Sequence, residues 1–279
     1  MSGQGNGPVT IVTGGTFGLG QAITLSLARR GHRVLAFGLE SAQVSSTAAG
    51  FDGLRAALAA AGLQERVAVM AADVADEADT GRVVDEALRR YGRVDGLVNN
   101  AAIGPLGTVL STEPAMVDRI LAVNVKGIYL MSRAVIPHMR AQGGGAIVNI
   151  GSGAGYGKPD MAIYAASKGA VLALSSAMAY DHFHDRIRVN VAIPGGGGIV
   201  SGMSVGRVGG DEALFRRRQA AGTAAGRPAS GEDLANAVAF LLSGEAEAIS
   251  GTVVDVGCFA NQGGPVPARP SMNRGHSHD

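Results

Sequence analysis

Tyr164 and Lys168, in the run Y-A-A-S-K, have the side-chain types and the spacing that proton transfer requires. They stand four residues apart, so on a helix they share one face. A phenol normally holds its proton until about pH 10, and a neighbouring ammonium stabilises the phenolate and lowers that pKa. Such a pair can exchange a proton near neutral pH. The same spacing also occurs on solvated helix surfaces, so other motifs must decide between the two interpretations.

The composition of the 279-residue chain predicts one large domain. Hydrophobic residues make up 46%, which is enough for a buried core, and charged residues make up only 17%, with a formal net charge of +1. This balance argues against a nucleic-acid surface. The single cysteine, Cys258, excludes an intramolecular disulfide. Neither a signal peptide nor an apolar run of membrane-spanning length is expected, which favours a cytoplasmic protein without membrane contact.

Short β-branched runs alternate with longer Ala/Leu-rich stretches, a pattern that predicts repeated β-α-β units. The predicted strands are 9–13, 33–37, 66–71, 94–99, 146–150, 188–193 and 252–256, and the predicted helices are 20–30, 51–61, 77–91, 114–141, 162–183, 210–220 and 231–243. Near-continuous apolar strands form parallel sheets covered on both faces. We therefore expect an α/β fold: a single-domain, Rossmann-like, doubly wound parallel sheet of about seven strands, with ligands beyond the carboxyl ends of the strands.

The expected domain spans 1–260 and includes a mobile substrate loop at about 196–220. Four consecutive glycines begin this loop, which favours mobility. The Pro-rich, polar tail at 261–279 is expected either to be flexible or to lie on a neighbouring subunit.

A glycine-rich loop, T-G-G-T-F-G-L-G from Thr13 to Gly20, follows the first predicted strand and opens directly into a helix. Glycines allow a tight turn and a close approach to a ligand. The helix N-terminus presents free N–H groups and the positive end of its dipole to a pyrophosphate. In this context the loop predicts a dinucleotide site, although a glycine turn that only packs helix on strand has the same sequence pattern.

Two further segments end at the same predicted edge of the sheet. Asp73 and Val74 end the third strand, and Asn99-Asn100-Ala101-Ala102 ends the fourth. A carboxylate at this edge can accept a hydrogen bond from an adenine amino group. Taken singly, each segment is also ordinary turn chemistry.

With these motifs in place, the chain resembles the short-chain dehydrogenase/reductase family from about Gly7 to Gly257. The resemblance is to the compact branch of the family, and it rests on several ordered motifs. These motifs are T-G-x-x-x-G-x-G, Asp73, N-N-A at 99–101, Asn124 in N-V-K-G, Ser152 in I-G-S-G-A-G, Y-x-x-x-K at 164–168, and Pro194-Gly195.

The resemblance implies an NAD(P)-dependent oxidoreductase that interconverts a secondary alcohol and a ketone. Tyr164 would be the general acid/base, and Lys168 would stabilise its phenolate and bind the nicotinamide ribose. Ser152 would orient the substrate oxygen, and Asn124 would hold a water that links Lys168 to solvent. No metal is implied. The implied cofactor contacts are Gly14, Thr16, Phe17, Gly18, Leu19, Gly20, Asp73, Val74, Asn100, Ala101, Tyr164, Lys168, Pro194 and Gly195.

The chain departs from the family pattern in three places. Ala102 stands where the family usually has glycine, and the run after Pro194 has four glycines and no threonine, so Ser201 is a possible substitute. The second strand ends in Gly38-Leu39-Glu40, without a cation for a 2′-phosphate. Since an acidic residue there favours the ribose hydroxyls, we expect NAD(H), without excluding NADP(H).

Several alternatives remain open. A catalytically silent NAD(P)-binding regulator and an epimerase or dehydratase of the same family are the other functions considered. Tyr156 is expected to line the substrate pocket, and His182 and His184 are expected at a solvated helix end or subunit contact. The candidate pocket residues are Met161, Ile199, Met203 and Leu214. The family resemblance implies a homotetramer, with a dimer as second choice.

Overall fold

The strands predicted from apolar runs are all present in the computed structural model, which describes residues 7–40, 50–194, 203, 209–214 and 223–257. The strands are β1 (Val9–Thr13), β2 (Arg33–Gly38), β3 (Val67–Ala71), β4 (Gly96–Asn99), β5 (Gly145–Ile150), β6 (Ile187–Ile193) and β7 (Val253–Asp255). The helices are α1 (Gly18–Arg29), α2 (Phe51–Ala61), α3 (Glu77–Tyr91), α4 (Pro114–Leu121), α5 (Gly127–Ala141), α6 (Ala162–Asp181) and α7 (Gly231–Leu242). Most of the predicted substrate loop, and the tail, lie outside the described residues.

The seven strands form one parallel sheet in the order β3-β2-β1-β4-β5-β6-β7. Successive side chains of a strand point to opposite faces, so each apolar strand supplies two cores. Leu97 and Ile147 pack with residues of α3, α5 and α6 on one face. Val98 and Val148 pack with residues of α1, α2 and α7 on the other. The expected single-domain, doubly wound fold is therefore confirmed.

The chain reverses its direction of winding at β1, which pairs with both β2 and β4. In this fold class, ligands bind in the crevice at such a switch point, beyond the carboxyl ends of the strands. Thr13 of β1 pairs with Asn99 of β4, and Asn99 pairs with Asn149 of β5. The glycine-rich loop, the N-N-A run and the segment containing Ser152 therefore leave the sheet at the same edge.

The stretch 114–141, predicted as one helix, is two helices joined by a π turn at Ala122–Lys126. A π turn widens the backbone by one residue and commonly occurs at functional sites. Asn124 lies in this turn, so the prediction of one continuous helix over 114–141 is corrected at the position of a candidate catalytic residue.

Two helical stretches, Pro114–Ala141 and Ala162–Asp181, are long and apolar enough to cross a membrane, although the sequence suggested no such run. Their apolar windows are 56% and 39% buried within the protein. Core helices of soluble proteins pass the same test of length and composition, so the two stretches are weak support for a membrane location.

Candidate active site

The helix α6 places Tyr164 and Lys168 one turn apart on the face that packs against the sheet. Tyr164 is 6% exposed and Lys168 is 3% exposed, so the interpretation as solvated surface residues is wrong. The Lys168 ammonium donates a hydrogen bond of 2.8 Å to the carbonyl oxygen of Ile150, at the end of β5. Its nitrogen lies 6.0 Å from the centre of the Tyr164 ring. Burial lowers the pKa of Lys168, and the neighbouring Tyr164 partly opposes that shift.

The first turn of α6 is fixed by the loop that follows β4. The Gly107 N–H donates to the Asp160 carbonyl at 2.7 Å, and the Ala162 N–H donates to the Gly107 carbonyl at 3.1 Å. The loop then passes so close to Tyr164 that a Cβ atom at Gly104 would lie 2.9 Å from two ring carbons. The same Cβ would lie 2.8 Å from the sulfur of Met203, a candidate pocket residue. Only glycine therefore permits this approach to the phenol.

Ser152 lies two residues beyond the carbonyl that binds Lys168. Its hydroxyl oxygen accepts a hydrogen bond of 3.1 Å from the Ala154 N–H and begins a short 3₁₀ helix at Gly153–Tyr156. That helix packs closely on α6, since a Cβ at Gly155 would lie 3.0 Å from the Lys168 carbonyl carbon. The capping bond uses the oxygen as acceptor, so the hydroxyl can still donate to a substrate oxygen.

Asn124 is fully buried in the π turn, and its side-chain amide binds both backbone groups of one residue in the loop after β4. Its Oδ1 accepts from the Ile103 N–H at 2.9 Å, and its Nδ2 donates to the Ile103 carbonyl at 2.9 Å. A third bond of 3.0 Å runs from Nδ2 to the Ser167 hydroxyl. Asn124 thereby ties the π turn both to the loop after β4 and to α6.

The glycine-rich loop has the geometry that a pyrophosphate site requires. Gly14 and Gly18 have φ values of +59° and +55°, which favour glycine. A Cβ at Gly20 would lie 2.0 Å from the Gly14 carbonyl oxygen, so this close loop-to-helix contact requires glycine. The α1 N-terminus has no side-chain cap and no acidic residue in its first turn, which leaves its N–H groups available to an anion.

Asn100 and Ala101 hold the glycine-rich loop in place. The Asn100 Nδ2 donates to the carbonyls of Thr13 and Gly14 at 3.1 and 3.0 Å. In return, the Thr13 hydroxyl accepts from the Asn100 and Ala101 N–H groups at 3.0 and 2.9 Å. Asn100 is thus engaged with the loop, and the N-N-A run fixes the predicted dinucleotide loop through its backbone and this amide.

Asp73 and Val74 were predicted to end the third strand, and they lie two and three residues beyond the last residue of β3. The Asp73 carboxylate accepts from the Ala75 N–H at 2.9 Å and forms an ion pair with Arg119 of α4 at 3.0 Å. Val74 is buried under α5, where a Cβ at Gly127 would lie 3.0 Å from its methyl carbons. The Asp73 side chain remains 27% exposed.

Thr16 and Gly38 form the wall of the crevice at the end of β2. The Thr16 hydroxyl is buried and has no hydrogen-bond partner among the described residues. Gly38 stands beside it, since a Cβ there would lie 3.1 Å from that oxygen. Together with the uncapped α1 N-terminus, this unpaired hydroxyl fits a dinucleotide.

The other predicted contacts are less informative. Phe17 and Leu19 are half-buried at the start of α1, and Pro194 directly follows β6. Tyr156 is 46% exposed beside Ser152. The His182 Nδ1 lies 2.9 Å from Asp185, which also binds Arg140. Gly195, Ile199 and Ser201 lie outside the described residues.

Comparison with known proteins decides the family. A profile of the short chain dehydrogenase family matches residues 8–205. The chain belongs to the short-chain dehydrogenase/reductase family.

Three members of this family illustrate its range. The chain is 36% identical over 268 residues to 2-(S)-hydroxypropyl-CoM dehydrogenase 3 of Xanthobacter autotrophicus, covering 95% of this chain and 98% of that protein. It is 42% identical over 217 residues to a protein of the same organism named inactive 2-(S)-hydroxypropyl-CoM dehydrogenase 2, covering 76% and 91%. A crystal structure of 3-ketoacyl-(acyl-carrier-protein) reductase from Brucella melitensis complexed with NADH has a TM-score of 0.74 and 33% identity, covering 90% and 96%.

Sequence reasoning missed three residues that organise this short-chain dehydrogenase/reductase site. Thr13 links the glycine-rich loop to the N-N-A run, Ser167 links Asn124 to α6, and Arg119 holds Asp73. Thr13 lies in the glycine-rich loop and Ser167 in the Y-x-x-x-K motif, but only other residues of these motifs were predicted to act in the site. Arg119 is 46 residues from Asp73, and only the fold brings them together.

Proposed function

We propose that this protein interconverts a secondary alcohol and a ketone, with NAD(H) as the favoured cofactor and Tyr164 as the general acid/base. The observation that carries the proposal is the buried Lys168 ammonium, which lies beside the Tyr164 ring and donates to the Ile150 carbonyl. A dehydrated cation next to a phenol favours the phenolate form. The hydroxypropyl-CoM dehydrogenases and the ketoacyl reductase among the relatives support the reaction class.

The side chains divide the work by position. In the reducing direction, Tyr164 donates its phenolic proton to the substrate oxygen, and in the oxidising direction the phenolate removes the hydroxyl proton. The Ser152 hydroxyl donates to that oxygen and orients it. Lys168 stabilises the phenolate that forms. Asn124 holds the loop after β4 against Tyr164 through Ile103, and we propose that it also carries the water that reprotonates the pair.

The described residues that would hold the cofactor lie along one edge of the sheet. The α1 N-terminus and Gly14–Gly20 would receive the pyrophosphate, and Thr16 and Glu40 the adenosine ribose. Asp73 would accept from adenine, and Lys168 would bind the nicotinamide ribose. When bound, the nicotinamide accepts or supplies the hydride. Glu40 is exposed at the end of β2, where its charge disfavours a 2′-phosphate; a preference for NADPH would contradict this assignment.

The test is a panel of secondary alcohols and ketones assayed with NADH and NADPH, comparing the wild type with Tyr164→Phe. We expect the variant to lose at least about 100-fold in turnover, because general acid/base catalysis contributes roughly 10²–10⁴-fold. Its dissociation constant for NADH should stay within about threefold, since the phenol oxygen alone is removed. Undiminished turnover in Tyr164→Phe would contradict the mechanism.

A second candidate is a cofactor-binding protein without turnover, and the relative named inactive is the observation that favours it. The retention of Asn124, Ser152, Tyr164 and Lys168 supports the enzyme instead. Binding of NADH without turnover of any substrate in the panel would favour the second candidate.

A further inference from the structure

The helix α6 contains two buried serines with the same pattern of hydrogen bonds. The Ser167 hydroxyl donates to the Tyr164 carbonyl at 2.7 Å and accepts from the Asn124 Nδ2 at 3.0 Å. The Ser175 hydroxyl, eight residues later, donates to the Val171 carbonyl at 2.6 Å and accepts from the Asn149 Nδ2 at 2.8 Å. The two serines are 0% and 2% exposed. Ser167 binds the carbonyl three residues earlier and Ser175 the carbonyl four residues earlier, and their asparagine partners contact different parts of the protein.

The asparagine bound to Ser167 reaches the catalytic side chains. Both polar atoms of the Asn124 amide pair with the backbone of Ile103 at 2.9 Å, and the remaining N–H bonds Ser167. Ile103 is followed by Gly104, the residue that passes next to the Tyr164 ring. Tyr164 is therefore held from two sides, at its carbonyl by Ser167 and at its ring by the loop that Asn124 secures.

Asn149, the asparagine bound to Ser175, connects α6 to the sheet instead. Asn149 of β5 accepts a bond of 2.8 Å from Asn99 of β4, so this chain of side chains joins α6 to two strands. It contains neither Tyr164 nor Lys168. The protein therefore contains a matched pair of buried serines. Ser167 is connected to the proposed proton donor, and Ser175 is not.

We propose that Ser167 is a positioning residue that fixes Tyr164 relative to the loop 103–107 through its bond with Asn124. This inference rests on the proposed function of Tyr164. Ser167 has one proton, which the Tyr164 carbonyl receives, so its oxygen is the acceptor for Asn124. Replacement by alanine leaves an amide N–H of the fully buried Asn124 without a partner, and such a group is costly. Asn124 then shifts, and Ile103 and Gly104 shift with it.

The test compares Ser167→Ala with Ser175→Ala in kcat, KM, the dissociation constant for NADH, and Tm. Both variants lose equivalent buried bonds, so we expect similar decreases in Tm. Only Ser167→Ala should lose kcat, by about ten- to hundredfold, because small displacements of a reacting group reduce rates to this extent. Its KM and its affinity for NADH should change by less than about threefold.

A second variant and a second measurement keep the proposal testable if Ser167→Ala folds poorly or if no substrate is found. Ser167→Cys keeps a side chain of similar size with a weak donor, so its kcat should lie between those of the wild type and the alanine variant. Hydrogen–deuterium exchange needs no turnover. Peptides covering 101–107 and 122–126 should exchange faster in Ser167→Ala and at the wild-type rate in Ser175→Ala.

The two proposals fail in different ways. Absence of turnover in the wild type, together with the expected exchange difference, rejects the proposed function and supports the tie through Ser167. Equal losses of kcat in Ser167→Ala and Ser175→Ala, or equal exchange at 101–107 in both variants, would overturn the positioning role.

Discussion

At the scale of single residues, the main feature is an ammonium kept out of water. Lys168 is buried, where it donates to the Ile150 carbonyl and lies beside the Tyr164 ring. Burying an ammonium costs several kcal/mol, whereas a hydrogen bond to a charged group contributes about 1.5–3 kcal/mol. The cost of burial therefore exceeds the contribution of this bond. An arrangement that destabilises the fold at a specific pair of side chains is typical of a functional site.

We expect Lys168→Met to be more stable than the wild type at pH 7, by roughly 1 kcal/mol or more, or a Tm about 2–4 °C higher. The pKa of Lys168 is lowered in the folded protein, so between that value and the ordinary 10.5 the unfolded chain binds more protons. Wild-type stability consequently rises with pH across this window, and the advantage of the methionine variant should shrink. Calorimetry from pH 7 to 10 measures this difference.

The exposed Lys158 provides the control, because Lys158→Met removes an ammonium that is already in water and should leave Tm at pH 7 nearly unchanged. A lower Tm for Lys168→Met at pH 7 would mean that the bond to Ile150 outweighs the cost of burial.

At the scale of helices and strands, the ion pair of Arg119 with Asp73 joins α4 to the end of β3. Both side chains are partly exposed, at 42% and 27%, so the pair contributes little to folding stability. Its geometric effect is larger, because Arg119 and the Ala75 N–H together fix both carboxylate oxygens. One helix thereby orients the carboxylate that is proposed to meet adenine.

Arg119→Ala should weaken NADH binding by about three- to tenfold and change Tm by less than about 2 °C, because the carboxylate loses its orientation but the fold does not depend on it. Reduced nicotinamide mononucleotide, which lacks the adenosine half, should bind both proteins equally. Titration calorimetry with both ligands measures the effect.

Arg133→Ala is the matched control, since Arg133 forms a comparable ion pair with Glu77, with side chains 59% and 68% exposed, and it should bind NADH normally. Equal weakening of both ligands by Arg119→Ala would place the effect elsewhere than at Asp73.

The sequence predicted the bounds of helices and strands better than the hydrogen bonds that join them. β1 and α3 have the predicted bounds, because a fully apolar run and a capped, amphipathic stretch are local signals. The π turn at Asn124 was missed because the bonds that secure it come from Ile103 and Ser167, 21 and 43 residues away. The family motifs identified Tyr164 and Lys168, but the ties that orient them depend on which elements the fold brings together.

At the scale of the whole molecule, one edge of the sheet gathers residues that are far apart in sequence. Asn100 binds the backbone of Thr13 and Gly14, more than 80 residues earlier, because β4 lies directly beside β1. Lys168 binds the end of β5 in the same way. The described residues that the proposed reaction uses therefore come together at this one edge of the sheet.

The outer face of α6 is exposed in the single chain. We propose that this face packs against a second copy within a homotetramer, with a dimer as second choice. Ala166, Ala173, Ser176 and Ala177 are exposed on that face, which gives a smooth, weakly polar surface. Tyr180 and Phe183, at the end of the helix, are 82% and 69% exposed. Large apolar side chains grouped in this way are typical of interaction surfaces.

Mass photometry at micromolar concentration should find about four times the 28.1 kDa of one chain. Ala173→Arg should reduce the size of the assembly, because a charge buried in a packed interface costs several kcal/mol. Ala59→Arg, on the exposed face of α2, should leave the size unchanged and so controls for the added charge. Each smaller species of Ala173→Arg should still bind NADH, since the described cofactor residues belong to one chain. A wild type that is only monomeric, or an Ala173→Arg variant of unchanged size, would reject this interface.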